Sequence, residues 1–261
     1  MNALTYINDL MAEGRYTFSL QELVKTLCLL PVSAQAAIQR LRKKKVITTL
    51  VSGFYLILPP EYQKAGCMPP EYFINELMGY LSQPYYVGLL SAAQFHGAAH
   101  QQPQQFQVVV NKPRLPLHCG QAHVIFITKK DVSQVPVENF NTPYGIVQVS
   151  TPEVTAKDLV TYSQYCGGID YIATILSELS EKIKADQLAV LAQQGREFTW
   201  VQRLGYLCDF LNYPELSREL KIITQGKRLQ PCFLDPHAIH RKEKRDQKWN
   251  VWINVDLELE I

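Results

Sequence analysis

The chain has 261 residues, of which 47% are hydrophobic and 19% are charged, a composition typical of a globular protein that can bury its own core. The formal net charge is only +2, so a nucleic-acid surface would require local clustering of basic residues. The sequence contains no apolar run near the roughly 20 residues of a membrane helix, and its start lacks the pattern of a signal peptide. The cysteines are scattered, as is typical of reduced thiols, and we expect a cytoplasmic protein.

The first two predicted helices lie at the N-terminus. Apolar side chains recur at helical spacing from Tyr6 to Met11, and Gly14 can end that helix. Ser19 can cap a second helix, because Glu22 follows three residues later and completes a capping box. Two short amphipathic helices are therefore expected before residue 30.

A third helix and a hairpin follow. Pro31 interrupts the helical pattern, and Ser33 is the candidate cap of the third helix. Residues 46–51 and 54–58 read as two strands joined by a tight turn at Ser52. Three short helices followed by a hairpin is the element order of a winged helix-turn-helix, which we predict for residues 1–60.

Two Pro-Pro pairs between residues 59 and 70 disfavour regular structure and predict a linker at 61–70. Beyond it, helical and strand patterns are mixed. Helices are expected at 71–82, 88–96, from 151, 169–183, 185–194 and 200–211, and strands at 106–110, 124–128, 146–150 and 251–261. The predicted fold class is α+β, with a winged-helix domain at 1–60 and a larger mixed α/β domain at 71–261.

The third helix carries the strongest functional signal. With Ala37, Ile38 and Leu41 facing the core, its polar side chains turn outward. Glutamine can bond base edges and arginine can pair with guanine, whereas lysine suits phosphates, and the hairpin tip would lie near the DNA backbone. The predicted DNA-binding residues are Ser33, Gln35, Gln39, Arg40, Arg42, Lys43, Lys44, Lys45 and Ser52.

Two other interpretations of the basic helix remain open. It could be a solvated face of a small helical domain, or the winged helix could contact a protein partner. A second basic cluster at 241–248 is interleaved with acidic residues, which favours a solvated loop and leaves an auxiliary phosphate contact as the alternative.

Catalytic and metal-site patterns are weak. His96 and His100 are four residues apart, as in zinc helices, but no glutamate adjoins His96. Other scattered candidates for zinc are His118, Cys119 and His123. Asp256 and Glu258 would pair on one face of the predicted last strand, as in metal-dependent nucleotidyl transfer. We expect no catalytic, cofactor or metal site, with a metal-dependent nuclease or nucleotidyl-transferring enzyme as the alternative.

Three segments resemble the AbiEi family of antitoxins, which act in type IV toxin–antitoxin systems of abortive infection and phage defence. They are YYVGLLSAAQFHG at 85–97, VSTPEVTAKDLV at 149–160 and RLGYL at 203–207, and they occur in the family's order. Each segment also has a structural interpretation: Thr151 suits a helix cap, and Glu153 and Asp158 suit the start of a helix or a buried pairing with Arg203.

The resemblance implies a function for each part of the chain. Proteins of this family are similar in being encoded beside a nucleotidyltransferase-like toxin. Their N-terminal domain binds inverted repeats in the operon's promoter and represses transcription. An inverted repeat has two half-sites, so we expect two copies of the chain to bind it, either as a dimer or as two monomers side by side. Their C-terminal domain provides the antitoxin action without a stable direct complex with the toxin.

Overall fold

The computed structural model describes residues 2–98, 103–195, 197–238 and 244–257. Helices and strands are mixed along the chain, and within these ranges the strands form three sheets, which confirms the α+β class. The chain divides into two compact units. The first comprises Met1–Val87, Gln104–Gln134 and Asn139–Gln148, and the second comprises Gly88–Pro103, Val135–Glu138 and Val149–Ile261. None of the helices in the described ranges is long and apolar enough to span a bilayer.

The first unit begins with three helices and a small antiparallel sheet. In chain order the elements are α1 (Ala3–Ala12), β1 (Thr17–Ser19), α2 (Leu20–Leu27), α3 (Pro31–Lys43), β2 (Ile47–Val51) and β3 (Phe54–Ile57). The sheet order is β1-β3-β2, with both pairings antiparallel, so the predicted hairpin is confirmed. One apolar cluster joins the three helices to the sheet, with Ile7, Phe18, Leu23, Ala34, Ile38 and Ile57 among its buried members.

The cap of α2 follows the predicted chemistry in part. The Ser19 hydroxyl accepts a hydrogen bond from the Glu22 backbone N–H at 3.0 Å. The Glu22 carboxylate accepts a hydrogen bond from the Arg15 guanidinium at 2.6 Å. The helix start is therefore capped by serine as predicted, while the glutamate binds a side chain that precedes β1.

The start of α3 corrects the prediction. The helix begins at Pro31, with Leu30 in the cap position and no side-chain cap, and Ser33 lies inside the first turn. The predicted cap at Ser33 was wrong, because proline is well suited to the first helical position, where its missing N–H costs nothing and its φ is already helical. The helix is consequently longer at its N-terminal end than expected.

The end of α3 has a left-handed residue that is not glycine. Lys45 has φ +57°, and the Lys45 and Val46 N–H groups bond the Arg42 and Leu41 carbonyls at 2.9 and 3.3 Å. This pairing is a Schellman motif, in which glycine is the usual residue at the left-handed position. The chain accepts a lysine there, although a Cβ is disfavoured at positive φ.

A six-stranded sheet has the order β6-β7-β5-β4-β9-β8. After α4 (Ile74–Tyr80), its strands are β4 (Tyr85–Val87), β5 (Phe106–Val110), β6 (Leu117–Cys119), β7 (Ala122–Thr128), β8 (Val137–Thr142) and β9 (Gly145–Ser150). Residues 61–70, the predicted linker, belong to the first unit and include the buried Cys67 and Met68. The boundaries 1–60, 61–70 and 71–261 stay a prediction about which parts fold independently.

The second unit is mainly helical. Its elements are α5 (Leu89–Phe95), α6 (Pro152–Thr161), α7 (Ile169–Leu179), α8 (Ala185–Gln194), α9 (Thr199–Phe210), α10 (Pro214–Thr224), β10 (Cys232–Phe233), β11 (Lys244–Asp246) and β12 (Val251–Ile253). The predicted cap of α6 is confirmed, since the Thr151 side chain accepts a bond from the Val154 N–H. The predicted strand at 251–261 is confirmed at Val251–Ile253 and was wrong for residues 254–257. Asn254 instead bonds the backbone of Asp235 through its side-chain amide, and residues 258–261 lie outside the described residues.

The core of the second unit contains a tryptophan held by a carboxylate. The Trp249 indole N–H donates to one oxygen of Asp209 at 2.5 Å, and Ser217 and Lys248 donate to the other at 2.5 and 2.8 Å. Burial opposes ionisation of Asp209, but these three hydrogen bonds outweigh the effect of burial and lower the pKa of Asp209.

The Trp249 ring lies against Gly205 of α9, where a Cβ would overlap the ring. The close approach explains the glycine of the RLGYL segment.

We expect Gly205→Ala to lower the free energy of unfolding by about 1–3 kcal/mol, because the added methyl overpacks the core against Trp249. Chemical denaturation of the full chain measures the change. Gly79→Ala in α4 is the matched control, since no atom lies within 4 Å of its added Cβ, and it should be neutral or slightly stabilising. Equal stability of the two variants would contradict the packing role of Gly205.

We expect Lys45→Gly to raise the free energy of unfolding by about 0.5–1 kcal/mol, because glycine removes the cost of a Cβ at positive φ. Lys44→Gly is the matched control: it removes the same charge at a residue with φ −79°, and should destabilise the chain. Thermal or denaturant unfolding of both variants measures the change in stability. Stabilisation by Lys44→Gly would contradict the explanation that the positive φ of Lys45 is costly.

Candidate nucleic-acid interface

The two faces of α3 separate as the sequence predicts. Ala34, Ala37, Ile38 and Leu41 are buried in the core of the first unit. The predicted contact residues are all exposed: Ser33, Gln35, Gln39, Arg40, Arg42, Lys43, Lys44, Lys45 and Ser52. The structure therefore presents the polar and basic side chains of α3 and its C-terminal end to solvent.

The basic residues are concentrated at the C-terminal end of α3. Arg40, Arg42 and Lys43 lie in its last turn, and Lys44 and Lys45 form its end. Cations there also interact favourably with the helix dipole, each by about 0.3–1 kcal/mol. The Arg40 Nε bonds the Ala36 carbonyl at 3.3 Å, which holds the arginine stem along the helix. The helix sequence contains no acidic residue, so the positive charge is not neutralised within α3.

The hairpin β2–β3 is fixed at its tip. Ser52 and Gly53 form its two-residue turn, and Gly53 has φ +78°, which glycine adopts without strain. The Tyr80 hydroxyl of α4 donates to the Ser52 carbonyl at 3.3 Å, and the Tyr80 ring stacks on Phe54 with centroids 4.5 Å apart. The hairpin is thus preorganised. Sequence reasoning missed Tyr80, because no local pattern relates it to a turn 28 residues earlier.

Arg42 connects α3 electrostatically with this hairpin. Burial raises the pKa of Tyr55 on β3, the charge of Arg42 opposes that rise, and the nearby Tyr80 adds to it. The basic end of α3 and the hairpin are also adjacent in the chain, since only three residues separate Lys43 from Ile47.

The residues considered for zinc or catalysis have other contacts. His96 is buried and its Nε2–H donates to the Ser150 carbonyl at 2.7 Å. His118 and His123 pack ring to ring, with centroids 4.7 Å apart. Within the described ranges, no three His, Cys, Asp or Glu side chains lie together as metal ligands, and His100 and Glu258 fall outside those ranges. Asp256 is exposed after the end of β12.

The polar residues of the three family-like segments have structural contacts in the second unit. Glu153 accepts a hydrogen bond from the Lys184 N–H at 2.9 Å and is almost fully buried. Arg203 donates to the Phe233 and Val160 carbonyls at 2.9 and 3.4 Å, and burial lowers its pKa. These contacts connect α6, α8, α9 and the segment of β10. These motif residues thus help to hold the elements of the second unit together.

The fold is similar to that in the crystal structure of the RV2827C protein from Mycobacterium tuberculosis. The two share 17% sequence identity and superpose with a TM-score of 0.70 over 94% of this chain and 89% of that chain. This likeness shows the fold alone. Among curated proteins, no sequence matches the chain.

The sequence also matches a family model described as the AbiEi antitoxin C-terminal domain, over residues 86–210. The matched residues include all three segments on which the resemblance rests, apart from Tyr85. The family is named for an antitoxin rather than for a catalytic activity, and the match supports an antitoxin role in a toxin–antitoxin pair. The resemblance is confirmed over residues 86–210, which match the C-terminal domain of the AbiEi antitoxin family.

Proposed function

We propose that this antitoxin is also a DNA-binding repressor of its own operon and that α3 is the recognition helix. The observation that carries the proposal is the exposed basic face of α3 beside a hairpin whose tip is fixed. A preorganised surface loses little conformational entropy on binding. DNA recognition also needs base-reading and phosphate-binding side chains on one element, and α3 has both.

The element order supports a winged helix at the N-terminus. The order α1-β1-α2-α3-β2-β3, with a three-stranded antiparallel sheet, is the arrangement in which the last helix enters the major groove and the hairpin contacts the backbone. In this proposal, Ser33, Gln35 and Gln39 face the bases together with Arg40. Arg42, Lys43, Lys44, Lys45 and the Ser52 turn bind phosphates.

The partners follow from the family resemblance. The DNA partner is a promoter segment with inverted repeats, which two copies of the chain occupy as monomers or as a dimer. The functional partner is a nucleotidyltransferase-like toxin encoded beside the antitoxin, which residues 71–261 counteract without forming a stable complex. In this proposal, the protein acts in the cytoplasm and uses no metal or cofactor.

We expect Arg40→Glu/Lys43→Glu to reduce affinity for the DNA upstream of the gene at least about tenfold, because two phosphate or base contacts become repulsive. A salt series should show a slope smaller by about 1, since Lys43 binds a phosphate in this assignment and each lost phosphate contact removes about one released counterion. Fluorescence anisotropy with the upstream duplex and a scrambled duplex measures both.

The control for charge reversal is Lys64→Glu/Arg218→Glu, which changes two exposed cations that belong neither to α3 nor to the hairpin. It should retain selective binding. Wild-type affinity of the Arg40→Glu/Lys43→Glu variant would refute the assignment of α3 and bring the protein-interaction alternative forward.

We expect toxin neutralisation to survive the same change. When expressed from an unrelated promoter beside the toxin gene, the Arg40→Glu/Lys43→Glu variant should protect cells as well as the wild type does, because the matched antitoxin domain begins only at residue 86. Colony counts under toxin induction, at equal antitoxin levels by immunoblot, measure this. Loss of protection would show that antitoxin action depends on the basic face of α3.

A further inference from the structure

A second basic segment lies outside the proposed recognition helix. The loop between β5 and β6, residues 111–116, reads Asn-Lys-Pro-Arg-Leu-Pro and is called here the proline loop. It carries two cations, Lys112 and Arg114, and its Leu115 side chain is 88% exposed. Pro113 and Pro116 restrict the backbone, so the cations and the apolar tip are presented on a stiff segment.

The proline loop lies beside the hairpin β2–β3. Leu50 and Val51 of β2 line the same groove of about 490 Å³ as Lys112 and Arg114. The strand that follows the loop, β6, also contacts β2: the Thr48 hydroxyl and the Cys119 thiol are 3.6 Å apart. The loop is therefore next to the part of the hairpin that ends at the Ser52 turn.

Gln83 holds the proline loop in this position. Its amide NH₂ donates to the Lys112 carbonyl at 2.9 Å, and its side-chain carbonyl accepts from the Arg114 Nε at 2.5 Å. Gln83 is only 9% exposed and lies three residues after Tyr80, which holds the hairpin tip. The end of α4 and the residues just after it thus fix the hairpin and the proline loop together.

The charge beside the hairpin has one sign. Among the described residues that line the shared groove, the ionisable ones are Lys112 and Arg114, and none is acidic. Arg114 is half-buried, and Lys112 is exposed. A stiff pair of cations next to an exposed leucine has the chemistry of a segment that follows a DNA backbone and packs against the sugars of a minor groove.

We propose that the proline loop is a second DNA-contacting element, in which Lys112 and Arg114 bind phosphates beside those held by the hairpin and Leu115 packs in the adjoining minor groove. This inference rests on the proposed binding of duplex DNA by α3 and the hairpin. It extends the interface to a segment within residues 86–210, the matched antitoxin domain.

The test uses the full chain and the duplex from upstream of its gene. Lys112→Glu/Arg114→Glu should weaken binding about tenfold and reduce the salt slope by about 2, because two phosphate contacts are lost. Leu115→Ser should weaken binding with an unchanged slope, since an apolar contact releases no counterion. Hydroxyl-radical footprints should lose protection at the edge of the site and keep it at the centre.

The controls separate this inference from the proposed function. Lys112→Gln/Arg114→Gln repeats the test with neutral side chains, and thermal unfolding identifies variants that fold. Lys64→Glu/Arg218→Glu should leave affinity and footprint unchanged. If folded proline-loop variants keep wild-type affinity, slope and footprint, the inference is overturned, whereas the proposed function is judged separately by Arg40→Glu/Lys43→Glu. The inference would also be overturned if the proline-loop variants kept their binding to DNA and instead lost binding to an acidic protein partner.

Discussion

The burial of one face of α3 is the constraint on which the proposed interface depends. Ala34, Ile38 and Leu41 can leave water only by packing against α1, α2 and the small sheet, and each large apolar side chain so buried contributes about 1.5–3 kcal/mol. That packing fixes the rotation of α3 about its axis. Because the polar residues occupy the opposite face, their exposure is a consequence of the core and needs no separate interaction.

The hairpin tip and the proline loop are held by contacts between residues distant in sequence. Tyr80 binds the hairpin tip, and Gln83 binds the proline loop. Tyr80 is the last residue of α4 and Gln83 follows three residues later, so a short segment of the first unit holds two surface loops. A surface arranged in this way can present a fixed pattern of charge to a ligand whose phosphates are themselves regularly spaced.

The second unit shows how far family-like motifs explain structure rather than binding. Thr151 caps α6, Glu153 bonds a backbone N–H and Gly205 admits the Trp249 ring. Each of these roles requires the residue type that the motif contains. In this chain, packing accounts for these three motif residues.

Local patterns in the sequence determined the two faces of α3, the Ser19 and Thr151 caps, the hairpin and the exposed basic residues, because periodicity and capping act over three or four residues. The same patterns misplaced the start of α3 at Ser33, because Pro31 takes the first helical position. They also extended the last strand into residues 254–257, where the Asn254 side chain bonds the backbone of Asp235. Only the tertiary structure decided that Tyr80 meets the hairpin, that the proline loop lies beside it and that Trp249 meets Gly205. These contacts join residues far apart in the chain, and their geometry depends on the complementary packing of whole elements, which no short-range pattern contains.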